Sequence, residues 1–484
     1  MAAAGVRLLH TATIFAALSL ALAGCGGINS AVDFVSGVGG GKPAEGQPGY
    51  ITGFLGGVVA DEPQAALLGR QVLSAGGNAA DAAAAVGLAL AVTLPSRASL
   101  GAGGACLAYT AAGAQRPQAV MFTSIPPAAS AGSNRPAAVP MLARGMFALK
   151  SWFGHLPFET IIQPVEQMAR GVRASHAFAS DLAVVAGPLV SDPAAAAVFF
   201  RGGRQVVEGD VMVQPDLAAT MAEMRTAGVG DLYLGGLARR LVAGAPQAGA
   251  AFNLTELRNA VPKLEGALST DARNGDRVTF LPPPADGGLA AAAAFQVLDA
   301  NPADAAGANA RGLAVASRWR QGGTDVTVLS TATNLPPPNL PPLPASTTFG
   351  TLDRNGNAVV CAVTMGNLFG TGRVLPGMGI VLAASPNWLP PPLLSAAMAY
   401  NADKSAFRAL AGGSGQAGAP LAAAMMISQA LGQTGRVAQP APGSVPDPGR
   451  ANVIACSRYL PGREESCAFA TDPRGSGLAT GGGG

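Results

Sequence analysis

The sequence predicts a globular protein of the α+β class. Residues 347–352 and 358–364 are β-prone runs, and the Asn-Gly dipeptide between them is typical of a tight hairpin turn. Residues 79–92 form a helical pattern that is apolar almost all round and too short to span a membrane, so we expect that helix to be buried. A further helical pattern follows at 419–431. Helices and hairpin strands in a chain of 484 residues indicate a mixed fold with a sizeable core.

Composition argues against several classes of function. Hydrophobic residues make up 49% of the chain and charged residues 12%, with a formal net charge of +3. No block of like charge occurs, which argues against nucleic-acid binding. The three histidines are too few for a His-rich zinc site, and the five cysteines form no pair of Cys-x-x-Cys motifs. We therefore expect no metal and no cofactor, and amine- or carboxylate-based chemistry rather than a Ser-His-Asp triad if the protein is a hydrolase.

The amino-terminal part has the pattern of an export signal and a tether. Arg7 precedes an apolar run over 11–22, and Leu-Ala-Gly-Cys then ends at Cys25. The layout is typical of a secretory signal, and its last four residues resemble a bacterial lipobox in which Cys25 would be lipidated. A plain signal peptide with a chance cysteine is the alternative. We expect a lipoprotein signal peptide over 1–25 and a flexible tether over 26–48, with the protein anchored to the outer membrane by lipid only and facing the periplasm, or free in the periplasm.

Helical patterns begin after the tether. Asp61 is expected to cap a first helix that carries Pro63 in its first turn and stops at Gly76. Asn78 is expected to cap the buried helix that follows. A Gly-rich turn at 101–104 then leads into a predicted strand.

The stretch from Ser346 to Gly370 contains a distinctive chemical pattern. Its first strand begins with three consecutive hydroxyl residues, and the preceding segment 334–345 carries six prolines, so that segment can be neither a helix nor a central strand. Cleavage behind such an extended, exposed lead would create a new amino terminus. A Ser or Thr at that terminus can use its own α-amine as general base, without a histidine. On these residues alone, an ordinary hairpin after a Pro-rich loop is the alternative.

A series of short motifs runs in order through residues 50–484. It starts with Ser74-Ala-Gly-Gly-Asn-Ala-Ala-Asp and the Gly-rich turn that follows it. The later motifs are Val139-Pro140, Arg144-Gly145, 153–158, 164–172, 232–236, 282–288 and the ending Asp472-Pro-Arg. Together these motifs resemble those of the γ-glutamyltransferase (γ-glutamyl transpeptidase) family, and chance agreement of so many ordered motifs is implausible.

The resemblance implies a four-layer αββα sandwich of the amino-terminal-nucleophile (Ntn) hydrolase type, made as an inactive chain that cleaves itself. The family pattern Thr-Thr-His-x-Ser-Val-Val-Asp-x-x-Gly-Asn-Ala-Val matches the stretch around Asp353. A gapless match places the nucleophile on Ser346, and a one-residue deletion places it on Thr347. The gapless match is favoured because a one-residue slip turns every strand side chain to the opposite face.

The resemblance also implies two regions within one intertwined catalytic domain. Residues 49–345 would be the large-subunit-like region and residues 346–484 the small-subunit-like region. The two fragments would stay associated after cleavage.

The same register implies further catalytic residues. Thr364 falls on a helper threonine whose hydroxyl would hydrogen-bond the nucleophile, although a strand threonine with a purely structural role is the alternative. The oxyanion hole of relatives comes from a Gly-Gly pair inside Gly-Ser-Pro-Gly-Gly-Ser. The nearest counterpart is the Gly-rich stretch 412–418, from which we select Gly412 and Gly413.

Several positions depart from the family in the pocket that binds glutamate. Thr123 stands where the family has an Arg, and Asn387 where it has an Asp. Gly366 stands where the family has an Asn, and Leu393-Leu394 where it has paired serines. Each change removes charge or hydrogen bonding, and a buried carboxylate without a bidentate cation is poorly recognised. We therefore expect the catalytic groups to be retained and the recognition of glutamate to be altered.

The cysteines beyond the signal fall into two groups. Cys456 and Cys467 lie in a polar insert and could either form a short-loop disulfide in an exported protein or stay reduced. Cys106 and Cys361 lie in apolar strand patterns and are expected to be buried small side chains rather than reactive thiols.

Two functional interpretations follow. The first is a γ-glutamyltransferase-family hydrolase or acyltransferase whose substrate is a small-molecule amide or a γ-glutamyl peptide. The second is a catalytically degenerate family member that serves as a binding or scaffold lipoprotein, which the altered pocket favours. An unrelated structural membrane protein would require the ordered motifs to be coincidental.

Overall fold

The computed structural model describes residues 53–112, 116–128, 132–333 and 335–482. The predicted signal peptide, the predicted tether and Cys25 lie outside the described residues. The strands, in chain order, are β1 (Gly56–Ala60), β2 (Gly103–Tyr109), β3 (Gln118–Phe122), β4 (Val172–Arg173), β5 (Phe200–Arg201), β6 (Arg204–Gln205), β7 (Val211–Met212), β8 (Lys263–Gly266), β9 (Leu268–Asp271), β10 (Asp276–Phe280), β11 (Ser346–Asp353), β12 (Ala358–Thr364), β13 (Val374–Leu375), β14 (Ile380–Val381), β15 (Ser395–Asn401), β16 (Ala406–Ser414), β17 (Arg450–Leu460), β18 (Cys467–Thr471) and β19 (Leu478–Gly481).

The α-helices cover the outer faces of the sheets, and most of the segment from residue 142 to residue 260 is helical. They are α1 (Pro63–Ser74), α2 (Ala79–Thr93), α3 (Leu142–Phe153), α4 (Phe158–Arg170), α5 (His176–Val190), α6 (Pro193–Phe199), α7 (Pro215–Ala227), α8 (Asp231–Leu234), α9 (Gly236–Gly244), α10 (Leu254–Asn259), α11 (Asp286–Ala300), α12 (Ala305–Arg320), α13 (Asp325–Thr331) and α14 (Ala419–Gly432). Among the described residues, no helix combines the length and the apolar character needed to cross a membrane.

Two large antiparallel sheets pack against each other. One has the strand order β19-β1-β11-β12-β2-β3-β8, and the other has the order β18-β17-β16-β15-β10-β9. Strands from before and after residue 346 are neighbours in both sheets, since β1 pairs with β11, β12 with β2, and β10 with β15. The two regions that meet at the predicted boundary between residues 345 and 346 therefore both contribute strands to the same sheets. The bounds of these regions stay a prediction.

Each sheet has one face against helices and one against the other sheet. On β12, Cys361 and Val363 belong to the core shared with α1 to α4, whereas Val360 and Ala362 belong to the core between the sheets. The helices α11 and α14 cover the outer face of the second sheet. Alternating side chains of a strand point to opposite faces, so a strand buried on both sides can be apolar at successive positions, as β12 is from Ala358 to Val363. The four layers are the predicted αββα sandwich.

The buried helix predicted at 79–92 is confirmed as α2. Asn78 caps it, because its side chain accepts hydrogen bonds from the backbone N–H groups of Ala80 and Asp81. Every residue of α2 is buried, and its many alanines let it approach both the first sheet and its neighbouring helices closely.

The cap predicted for α1 is wrong by one residue. Glu62, not Asp61, is the N-cap, and its Oε2 accepts a hydrogen bond from the N–H of Ala65 at 2.8 Å. Asp61 instead turns toward β11. Both carboxylates are close enough in sequence to cap the helix, and only the packing of the sheet decides between them.

The hairpin predicted from the Asn-Gly signal is confirmed as β11 and β12. The Asp353 carboxylate accepts hydrogen bonds from the N–H groups of Asn355 and Asn357 at 2.8 and 3.1 Å, and Gly356 adopts a φ of 82°. Residues 335–345 contain neither helix nor strand, as the prolines predict.

Two disulfide bonds link strands that lie side by side. Cys456–Cys467 joins β17 to β18, so the first of the two alternatives for this pair is confirmed. Cys106 and Cys361 are buried, as expected, but the prediction missed their disulfide, because they are bonded to each other across β2 and β12 with a Cα–Cα distance of 4.0 Å. Their strands are 255 residues apart in sequence, and no local pattern reveals that they pair.

In the uncleaved chain, which Ser346→Ala should preserve, replacing both Cys106 and Cys361 with Ala is expected to lower the free energy of unfolding by about 2–5 kcal/mol, because the bond then closes a very long loop. Urea unfolding under non-reducing conditions measures the loss. The matched control is the double replacement of Cys456 and Cys467, whose separation is only 11 residues and whose loss should be smaller. An equal or larger loss in that control would contradict the prediction.

Candidate active site

The register of β11 against β12 places Ser346 directly opposite Thr364. Directly opposed residues of an antiparallel pair share one face of the sheet. Thr348, two residues along β11, faces the second sheet, because its Oγ1 accepts a hydrogen bond from Asn452 Nδ2 at 3.0 Å. Ser346 therefore lies on the face between the sheets, where it is half-buried at the end of the sandwich.

The carbonyl group just before Ser346 is held by two donors. Thr364 Oγ1 donates to the Ala345 oxygen at 2.8 Å, and the N–H of Met365 donates to the same oxygen at 3.1 Å. The Thr364 hydroxyl also accepts from the N–H of Gly366 at 3.0 Å, which fixes its orientation. These contacts polarise the Ala345 carbonyl and hold its oxygen in place.

Thr347 lies on the opposite face and is fully buried. Its hydroxyl donates to Asp61 Oδ2 at 2.8 Å, and the same oxygen accepts from the N–H of Thr348 at 3.2 Å. The other carboxylate oxygen of Asp61 accepts from Asn452 Nδ2 at 2.7 Å. Sequence reasoning assigned Asp61 to a helix cap and missed that its carboxylate binds the first residues of β11.

A cavity of about 150 Å³ brings together three of the predicted site residues. Thr123, Thr364 and Gly366 all line it, and Leu394 forms part of the opposite wall. Gly366 has a φ of 74°, and a Cβ there would lie 2.8 Å from the Ala384 carbonyl oxygen, so the turn after β12 needs glycine.

The structure does not bring Asn387 to this cavity. Asn387 is exposed, and its N–H donates to Ser385 Oγ at 3.3 Å. The neighbouring Pro386 and Leu389 line the cavity instead. A role of Asn387 in substrate binding stays a prediction without a contact in this structure.

Gly412 and Gly413 lie inside β16, paired with β15 on one side and β17 on the other. A Cβ on Gly412 would lie 2.6 Å from Thr348 Cβ, and one on Gly413 would lie 2.0 Å from the Ala419 carbonyl oxygen. These glycines allow a close approach of the opposite sheet and of α14. Their role in an oxyanion hole stays a prediction.

The loop after β16 also borders the space around Ser346. Gly415 and Gln416 line a small space together with Ser346, and Gln416 Nε2 donates to the Pro341 carbonyl at 2.7 Å. The family's oxyanion-hole motif could have indicated this loop from the sequence. When the motif serine is matched to Ser414, the Gly-Gly pair of Gly-Ser-Pro-Gly-Gly falls on Gln416-Ala417.

A charged recess of about 360 Å³ adjoins the space around Ser346 and shares Pro344, Gly415 and Gln416 with it. Arg97 and Asp181 form a bidentate ion pair in it, with both N–O distances at 2.7 Å. Burial would lower the pKa of Arg97, but the carboxylates of Asp181 and Asp61 outweigh burial and raise that pKa. The recess therefore presents fixed charges of both signs, in contrast to the cavity beside Thr364.

Comparisons with known proteins agree with this architecture. A family model described as "Gamma-glutamyltranspeptidase" matches residues 65–321, which is more than half of the chain. The "Glutathione hydrolase proenzyme" of Escherichia coli is 26% identical over 380 residues, which cover 67% of this chain and 65% of that protein. The "Acylase ACY 1 proenzyme" of a Pseudomonas species is 28% identical over 272 residues, which cover 51% and 47%. The chain thus spans less than two thirds of the length of either relative.

The fold also has counterparts among solved structures. The crystal structure of cephalosporin acylase from Bacillus halodurans superposes with a TM-score of 0.70 at 19% sequence identity, over 90% of this chain and 98% of that one. The predicted αββα sandwich of the amino-terminal-nucleophile hydrolase type is thereby confirmed as the fold.

Replacing Gly412 with Ala is expected to lower the free energy of unfolding by about 1–3 kcal/mol, because the new methyl group would be forced against Thr348 of the facing sheet. Urea unfolding measures this loss. Gly432→Ala is the matched control, since a Cβ there meets nothing within 4 Å. Because alanine retains the backbone N–H, the substitution changes only the packing at this position. Unchanged stability in Gly412→Ala would show that the close approach of the sheets does not require this glycine.

Proposed function

The chain belongs to the γ-glutamyltranspeptidase family, and from this premise we propose that it is a self-cleaving hydrolase or acyltransferase that acts on an amide or γ-glutamyl-type substrate. The resemblance read from the sequence motifs is confirmed by the family match. One observation carries the proposal. The carbonyl of Ala345, immediately before Ser346, accepts hydrogen bonds from both Thr364 Oγ1 and the N–H of Met365.

Self-cleavage would start at that carbonyl. Ser346 Oγ attacks the carbonyl carbon of Ala345 and loses its proton, while the amide nitrogen of Ser346 gains one and leaves. The product is an ester between Ala345 and Ser346 Oγ, which water hydrolyses to a carboxylate on Ala345 and a free Ser346. Negative charge develops on the Ala345 oxygen, where the two donors already point, and such donors stabilise a tetrahedral intermediate.

The contacts of the two hydroxyls favour Ser346 over Thr347 as the nucleophile. Thr347 is buried on the helix-covered face and its hydroxyl is engaged with Asp61. Ser346 is half-buried and borders the space lined by Gly415 and Gln416. Once freed, its α-amine would act as general base for the hydroxyl in turnover of a substrate.

Turnover would then proceed through an acyl-enzyme on Ser346. The names of the two relatives, glutathione hydrolase and acylase, support a hydrolytic or acyl-transfer reaction. The cavity beside Thr364 supports altered recognition of glutamate, since its described lining includes Thr123 and Leu394 where the family pattern has an Arg and a Ser. The same cavity favours the alternative of a degenerate, non-catalytic member, which the cleavage experiment below distinguishes.

The two fragments would remain joined after cleavage. Both fragments contribute strands to each of the two large sheets, and Cys106 lies before the cleavage point whereas Cys361 lies after it. The disulfide would therefore hold the fragments together covalently.

Purified protein is expected to give two fragments in electrophoresis after reduction, the smaller beginning at Ser346, and a single band without reduction because of the Cys106–Cys361 bond. Amino-terminal sequencing identifies the cleavage point. Ser346→Ala should remain one chain under both conditions, and Thr347→Ala should still be cleaved. A smaller fragment that begins at Thr347 would contradict the register.

Thr364→Ala should slow the cleavage by about 10- to 1000-fold, because it removes one of the two donors to the Ala345 oxygen. Thr364→Ser retains a hydroxyl and should be cleaved faster than Thr364→Ala. A wild-type chain that stays intact indefinitely would favour the scaffold alternative.

We also propose that the protein is exported and anchored by lipid at Cys25, facing the periplasm. The signal-like pattern before Cys25 and the two disulfides support an oxidising compartment. Cys25→Ala is expected to abolish incorporation of labelled fatty acid and to move the protein from the membrane fraction to the soluble periplasmic fraction. Ser30→Ala, in the predicted tether, is the control and should change neither. Membrane association of Cys25→Ala equal to wild type would contradict a lipid anchor.

A further inference from the structure

The cavity beside Thr364 has walls from several separate parts of the chain. Thr123 and Ser124 follow β3, Ala285 precedes α11, and Leu389 and Leu394 lie in the Pro-rich segment before β15. Thr364 connects it to the Ala345 carbonyl, so a group bound in the cavity would lie next to the reacting centre. The acyl group that a substrate would transfer to Ser346 would therefore have this cavity beside it.

No Lys, Arg, His, Asp or Glu is found among the described residues that line the cavity. An ionised carboxylate or ammonium group placed there would lose its hydration without gaining an ionic partner, which is strongly unfavourable. The aliphatic side chains of Leu389 and Leu394 instead favour hydrocarbon. The charged recess that Pro344 helps to line shows that the chain does place charges near Ser346, but not in the wall of this cavity.

The size of the cavity limits the group that fits. Its volume is about 150 Å³, and at roughly 30 Å³ for each water-sized unit it has room for about five such units. That corresponds to a short acyl chain.

One polar atom in the wall has no partner. Ser124 Oγ is buried and makes no hydrogen bond in the structure. Its position is fixed by β2, because a Cβ on Gly103 would lie 2.4 Å from the Ser124 nitrogen and 2.5 Å from its Oγ. A buried hydroxyl without a partner is costly, and a ligand that supplies a hydrogen-bonding atom removes that cost.

We propose that this cavity is an acyl-binding pocket for a short, uncharged acyl group, and that Ser124 is the specificity-determining residue that hydrogen-bonds a polar atom on that group. The inference rests on the proposed function, since it assigns the substrate class of the same site. Amides of γ-glutamate or of a dicarboxylic acid are then poor substrates because their charged ends enter an uncharged pocket.

The test compares four chromogenic anilides of 4-nitroaniline on the cleaved wild-type enzyme. The butanoyl and 4-hydroxybutanoyl amides are uncharged, the glutaryl amide carries a carboxylate, and the γ-glutamyl amide carries both charges. The expected result is a kcat/KM for the uncharged amides at least about tenfold above that for the charged ones, as the desolvation argument requires. Equal or faster turnover of the glutaryl or γ-glutamyl amide would overturn the inference and leave the proposed function standing.

A protein that shows no fragment beginning at Ser346 and turns over none of the four amides would overturn the proposed function and this inference with it. A protein that is cleaved at Ser346 but turns over none of them would overturn the inference alone. The two failures are thus distinguishable by amino-terminal sequencing of the same preparation.

The role of Ser124 is tested by a ratio. In wild type, the 4-hydroxybutanoyl amide should be favoured over the butanoyl amide by about 2- to 10-fold, the range expected of one net hydrogen bond, and Ser124→Ala should lose that preference. Ser330→Ala, the same change on the exposed helix α13, is the matched control and should keep it. Ratios are compared only for preparations whose smaller fragment begins at Ser346, which shows that they are folded. A preference retained in Ser124→Ala would overturn the role of Ser124.

Thr123→Arg gives a test by gain of function. A guanidinium in the wall would supply the missing partner for a carboxylate, so turnover of the glutaryl amide relative to the butanoyl amide should rise by about tenfold or more. An unchanged ratio in a cleaved preparation would show that Thr123 does not face the acyl chain, and would overturn the location of the pocket.

Discussion

The pairing of β11 with β12 is the interaction on which the rest of the site depends. This register sets Ser346 opposite Thr364, and the carbonyl of Ala345 then lies within reach of both the Thr364 hydroxyl and the N–H of Met365. A slip of one residue would exchange Ser346 with Thr347 on the face between the sheets. The Asp353 carboxylate at the turn and Asp61 at the other end of β11 hold the register from both sides.

Close approach between layers explains much of the unusual composition. The two sheets meet where Gly412 lies against Thr348 and where Gly350 lies against Leu410, with a Cβ on Gly350 only 2.5 Å from Leu410 Cδ1. The alanine-rich α2 is buried at every position. Small residues bury little apolar area each, so they supply less hydrophobic stabilisation than leucine or phenylalanine would. The disulfide bond between β2 and β12 adds a covalent constraint at the centre of the first sheet.

Two donors form hydrogen bonds to the Ala345 carbonyl, and other residues line the neighbouring cavity. The two sets come from different parts of the fold. The first are a backbone N–H and a strand hydroxyl, both set by the hairpin. The second are side chains on the segments after β3, before α11 and before β15. Loop side chains can change without moving the hairpin, because the strand register does not depend on them. The geometry of the hairpin can therefore stay the same while the side chains that line the cavity change.

The sequence by itself determined the hairpin, the buried helix α2, the family and the residues Ser346, Thr364, Thr123 and Gly366 as neighbours of one site. Local patterns sufficed there because turn signals, helix caps and ordered motifs depend on residues close in the chain. The register of the nucleophile was left open between Ser346 and Thr347, and the contacts of Thr347 with Asp61 now favour Ser346.

Only the tertiary structure decided the rest. It joined Cys106 to Cys361, moved the cap of α1 to Glu62, left Asn387 on the surface, and brought Gln416 and Ser124 toward the site. Cys361 lies 255 residues from Cys106, and the Thr347 hydroxyl that engages Asp61 lies 286 residues from it. Such contacts follow from how sheets and helices stack and not from any local pattern, and for that reason the sequence could indicate the candidate site but not the walls around it.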